Sequence, residues 1–141
     1  MPNSSRGEYR ELPLLTQFRR HLAFKGLAEG TITCYSCQAV TFLVELAVGN
    51  GLAMLSEKLE GEAYELAQRG EWAELHRRRS ESPTALLLTA SRREIGKTLL
   101  LISGTRGLHA MANFVSALGR LFAWLELARL IEANHFRELQ E

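Results

Sequence analysis

The stretch from Gly107 to Glu132 constrains the fold of this chain more than any other. It reads GLHAMANFVSALGRLFAWLELARLIE, without proline and with an apolar residue at almost every third or fourth position. At about 100° per residue, Met111, Val115, Leu118, Phe122 and Leu125 fall on one face of a helix. His109, Asn113, Ser116 and Arg120 fall within about 60° of arc on the opposite side. That polar stripe has two readings. It is the solvated face of a bundle helix, or it lies in a DNA major groove, where Arg suits guanine and Asn suits adenine.

The rest of the composition decides what such a helix can be part of. With 141 residues the chain is long enough for one domain with a real core. Its 46% hydrophobic and 23% charged residues are ordinary for a soluble globular protein. Few stretches alternate apolar and polar residues, so the expected class is all-α, a bundle of about five helices. The formal net charge of +1 announces no polyanionic partner, and the distribution of charge matters more than the sum. Every acidic residue is Glu. The absence of Asp excludes Ser-His-Asp triads, EF-hand loops and magnesium sites that depend on Asp. Two cysteines and no signal-peptide pattern argue against a disulfide-stapled secreted domain. Apolar runs such as Leu99–Ile102 are too short to span a bilayer, so a cytoplasmic protein without membrane contact is expected.

In order along the chain, Met1 to Glu11 is polar and aperiodic and reads as part of a mobile arm over residues 1–12. Pro13 opens a first helix with Leu15, Phe18 and Leu22 on one face and Arg19, Arg20 and His21 around the outside. Gly26 ends it. Thr31 is the expected cap of a second helix, about Ile32 to Ala47, whose apolar face carries Ile32, Tyr35, Ala39, Phe42, Leu43 and Leu46. Thr33, Cys37 and Thr41 lie on its other side, flanked by Gln38. A locally acidic helix is expected over Leu52–Arg69, interrupted in propensity by Gly61. Ser82-Pro83 then starts a helix to about Ile102, and Asn134 closes the long final helix before a polar tail.

Several motifs carry less than they suggest. Cys34-Tyr35-Ser36-Cys37 has no second cysteine pair for zinc and sits inside a helix rather than at the end of a strand. Ile95-Gly96-Lys97-Thr98 resembles the end of a phosphate-binding loop, but Ser91 stands where the pattern needs Gly. His76-Arg77-Arg78-Arg79 is either a solvated cluster or a phosphate contact. No nucleophile has a base within reach, and no metal or cofactor site is expected.

Residues 18–47, FRRHLAFKGLAEGTITCYSCQAVTFLVELA, resemble the opening of the core-binding, SAM-like domain of tyrosine recombinases, the phage-integrase family. Gly26, Leu27, Thr31, Ile32, Tyr35, Phe42, Leu43 and Leu46 match the family's pattern, and Ala28 stands where the family has Ser. Ser116 to Leu125 and Leu130 to Asn134 resemble its last long helix and exit, with His135 in place of Pro. Between these parts the spacing departs from the family, and residues 71–102 read as a helical insertion. The resemblance implies a DNA-binding domain over residues 13–134 that grips one face of the duplex with its second and last helices. Residues 135–141 would begin the linker to a separate catalytic domain, so no catalytic residue is expected on this chain. Its partners would be double-stranded DNA and other recombinase subunits on the same site, with no small-molecule substrate.

On that resemblance the candidate DNA contacts are His109, Asn113, Ser116 and Arg120 from the last helix and Thr31, Thr33, Gln38 and Thr41 from the second. Arg106, Arg77, Arg78 and Arg79 are candidate phosphate contacts. Asn113 and Arg120 are expected to read bases. The alternative is a helical interaction module that binds protein alone, with the leucine-rich Thr84–Ile102 segment as a dimer face.

Overall fold

The structure is a computed structural model that describes residues 4–52 and 54–140. Among the described residues the chain is all-helical: α1 (Arg6–Arg10), α2 (Pro13–Phe24), α3 (Glu29–Gly49), α4 (Glu57–Gln68), α5 (Trp72–Arg77), a 3-10 turn (Arg78–Ser80), α6 (Pro83–Leu88), α7 (Arg92–Ser103), α8 (Leu108–Leu127) and α9 (His135–Leu139). Helix α3 is the axis of the molecule, in contact with α1, α2, α6, α7 and α8. By length and mean hydropathy of 1.4 it is apolar enough to cross a membrane, and 44% of its most apolar window is buried within the molecule. Ala39, Phe42, Leu43, Leu46 and Ala47 are buried.

Helix α8 buries Leu118, Phe122 and Leu125 of the expected face and also Phe114 and Leu121, while Met111 and Val115 are only partly covered. Each fully buried side chain of this size contributes roughly 1.5–3 kcal/mol. The seam between α3 and α8 is aromatic. Phe42 meets Phe122 edge-on at 6.1 Å between ring centroids and Phe114 at 6.5 Å. Helix α2 joins the seam through Phe18, whose ring lies 5.7 Å from that of Trp124.

The structure departs from the expected elements at five places. Residues 4–12 of the expected arm are packed: Ser5 and Glu8 form a capping box for α1, and Tyr9 and Leu12 are buried. Met1–Asn3 lie outside the described residues. Thr31 caps nothing, because α3 already begins at Glu29, where a carboxylate suits the positive end of the helix. The acidic helix begins later than expected, at Glu57, and Gly61 does not interrupt it.

The expected helix over 83–102 is two helices. Ser91 and Glu94 form a second capping box, which ends the first segment by starting another. Helix α6, within the span read as an insertion, is buried at every position and packs on both α3 and α4, so that span supplies core. Finally, α8 ends at Leu127, and Asn134 caps the start of α9 rather than closing α8. The tail read as a linker is therefore docked. Phe136 stacks on Phe122 at 5.3 Å, and Arg137 grips both carboxylate oxygens of Glu126 at 2.6 and 2.8 Å.

One buried polar tie fixes α6 against α4. Glu60, fully buried, accepts hydrogen bonds through Oε1 from the Thr84 amide at 2.9 Å and the Thr84 hydroxyl at 2.8 Å. It thereby satisfies a free amide in the first turn of α6, while Ser82 accepts from Ala85 at the next. Its other oxygen, Oε2, has no hydrogen-bond partner among the described residues. Burial pushes the Glu60 carboxyl above its usual range, against the lowering effect of Ser82 and Thr84.

Candidate nucleic-acid interface

The outer face of α8 presents His109, Asn113, Ser116 and Arg120 to solvent, one helical stripe as the spacing predicts. Ala112 and Ala123, also exposed, flank it with small side chains. No carboxylate lies between Gly107 and Leu125. The first acid on α8, Glu126, is held by Arg137.

Helix α3 does not complete this surface in the expected way. Thr41 is 8% exposed, and its hydroxyl is occupied on both sides. It accepts from Arg6 Nη1 at 2.7 Å and donates to the Cys37 carbonyl at 3.1 Å. Gln38 is half-buried and accepts from Arg106 Nη1 at 3.0 Å. The same guanidinium lies 5.0 Å from the centre of the Phe114 ring. Arg106 thus links α3 to the start of α8. Thr31 lies about 20° round α3 from Gln38, while Thr33 lies about 140° away from it. Thr33 shares the exposed side with Cys34 and Cys37, both free thiols. The four polar residues expected to act together on α3 therefore divide among three environments.

The basic run after α5 is also spoken for. Arg77 pairs with Glu74. Arg78 bridges Glu62 at 2.6 Å and Glu74 at 3.2 Å, which raises its already high pKa through hydrogen bonding to Glu62 and then Glu74. Arg79 pairs with Glu94 and donates to Thr89 at 3.2 Å. Each of these three arginines thus has a carboxylate partner, on α4, α5 or α7. A cleft of about 520 Å³ beside α1 is lined by Glu8, Glu11 and Glu57, carboxylates that repel a polyanion.

Two stretches of the chain carry cations and no carboxylate. Residues 12–28 and 95–125 contain no acidic residue at all, yet they contribute Arg19, Arg20, Lys25, Lys97, Arg106 and Arg120. None of these six makes an ion pair among the described residues. His21 stands beside Trp124 at 6.1 Å between rings, where α2 crosses α8. Burial first, then Lys25 and Arg120, depress its pKa below the usual histidine value. The signal was readable as a gap in the distribution of Glu, hidden by a near-zero total.

No protein-family model, curated protein or solved structure matches this chain.

Proposed function

We propose that the chain binds double-stranded DNA through the outer face of α8, as the N-terminal core-binding domain of a tyrosine recombinase or integrase does. The observation that carries this reading is charge segregation. A chain of net charge +1 keeps its acid-free stretches on α2 and on the segment leading through α8, with cations that lack carboxylate partners. The exposed run of His109, Asn113 and Ser116 offers donors and acceptors suited to base edges, between small residues that permit close approach. The likeness of residues 18–47 and 116–134 to the core-binding domain supports the same reading. Catalysis of strand exchange would belong to a separate domain, and neighbouring subunits on one DNA site would be the protein partners, within the cytoplasm.

The test is a titration of the chain on duplexes recovered from a random pool, over a series of salt concentrations. Affinity is expected to fall steeply with salt, and Asn113→Ala to cost about 1–3 kcal/mol with relaxed preference at one base pair. Absence of duplex binding even at low salt removes the reading.

A second reading, a protein-binding helical module, is favoured by a different observation. Leu100, Leu101 and Leu108 stand exposed, at 75%, 58% and 91% of their surface, where α7 gives way to α8. Light scattering that finds an obligate dimer, together with no duplex binding, selects it.

A further inference from the structure

Where α2 crosses α8, two pairs of residues one turn apart come together. His21 lies in the last turn of α2 and Lys25 caps its C-terminal end; Arg120 and Trp124 belong to α8. The indole of Trp124 sits under the crossing, between the Phe18 ring at 5.7 Å and the His21 ring at 6.1 Å. Lys25 and Arg120, both exposed, lie near enough to the half-buried His21 for their charges to act on it. None of the three has a carboxylate partner among the described residues. By contrast, Arg78, Arg79 and Arg137 each reach a Glu. Three basic groups converging without an anion are poorly arranged for stability and well arranged for an incoming oxyanion.

We propose that His21, Lys25 and Arg120 form a seat for one backbone phosphate of a nucleic-acid duplex, at the C-terminal end of the α8 stripe. The proposal rests on the DNA-binding reading and revises it at one residue. Arg120 holds the backbone and sets register, and base contacts fall to His109 and Asn113 further along α8. The seat also couples binding to protons. Lys25 at the C-terminal cap of α2 and Arg120 on α8 are the charges that act on His21, and they discourage its protonation once burial has already done so. The other helices against α2, which are α1, α3 and α4, add no charge that acts on it. A phosphate placed among the three reverses that balance and draws a proton onto His21. Duplex affinity therefore rises as pH falls through the histidine range.

The experiment uses the full chain and fluorescent duplexes of two unrelated sequences, measured by anisotropy over a salt series at about pH 7.5 and about pH 5.5. Lys25→Ala and Arg120→Ala are expected to weaken both duplexes by the same factor, roughly 5–10-fold at low salt, and each to reduce the log–log salt slope by about 1. His21→Gln is expected to lose the affinity that the wild type gains at the lower pH. In the wild type, the NMR titration of the His21 ring is expected to move to higher pH on saturation with duplex and much less with inorganic phosphate. If the wild type binds duplex while all three variants keep its affinity and slope, the seat is overturned and the DNA reading stands. An Arg120→Ala loss confined to one base pair returns Arg120 to base reading and likewise overturns the seat. A His21 shift produced by inorganic phosphate in a chain that binds no duplex overturns both the backbone assignment and the DNA reading.

Discussion

Replacing Glu60 tests how far a single buried carboxyl organises α4 against α6. Glu60→Ala removes the acceptor of two buried donors, the Thr84 amide and hydroxyl. The hydroxyl can rotate toward another acceptor, but the amide cannot. A buried donor left unpaired costs about 1–3 kcal/mol, and the space vacated beside fully buried neighbours adds to it. Against this, the variant is relieved of a carboxyl whose Oε2 is unsatisfied and whose ionisation burial opposes. The net expectation is a loss of about 2–4 kcal/mol, a large part of the stability of a single domain. Glu60→Gln keeps the Oε1 acceptor and cannot ionise, so its cost at low pH is expected to stay under about 1 kcal/mol.

The two variants also differ in their response to pH. A carboxyl raised above its usual value of 4.5 binds its proton more tightly in the folded than in the unfolded chain. Its stabilising contribution is complete below that value and drains away as pH rises through the folded pKa. Glu60→Gln should therefore gain on the wild type between about pH 4.5 and neutrality. Urea unfolding followed by circular dichroism, at several pH values, gives both quantities. An Ala variant that loses less than about 1 kcal/mol, or a Gln-minus-wild-type difference that stays flat or shrinks with rising pH, refutes the reasoning.

Other expectations follow from the same contacts. Thr41→Val takes away the acceptor of Arg6 and should cost about 1 kcal/mol in thermal melts, with duplex affinity unchanged. An affinity loss would restore Thr41 as a DNA contact. Ser91→Ala dismantles the capping box that separates α6 from α7 and should cost about 1 kcal/mol by chemical denaturation; an unchanged midpoint would show that the break has another cause. Phe122→Ala opens a cavity between Phe42 and Phe136 and should destabilise the chain by about 3–5 kcal/mol, a prediction that a loss below about 1 kcal/mol would defeat.

Helices α2 and α8 were legible because a helical period coincides with a start or stop signal, Pro13 in one and the loop through Gly107 in the other. The division of residues 83–102 was legible too, in the Ser91–Glu94 spacing, but the surrounding apolar run invites one continuous helix. The same spacing in Ser5–Glu8 marks α1. What the sequence withheld were tertiary partners. Nothing in the local pattern tells that Arg6 lies over Thr41, or that Arg106 reaches Gln38 and Phe114. The exposure of His109, Asn113, Ser116 and Arg120 follows from periodicity, because an outer face needs no partner to define it. The occupation of Arg77, Arg78 and Arg79 depends on Glu62, Glu74 and Glu94, two of which lie far along the chain from the run they neutralise.

Glu94 shows how thinly one joint of the molecule is held. A single oxygen, Oε1, receives both the Ser91 amide that starts α7 and the guanidinium of Arg79 from the preceding 3-10 turn. Fraying at either place loosens its counterpart, so amide protons on the two sides of α6 should exchange with solvent in concert, as one cooperative unit.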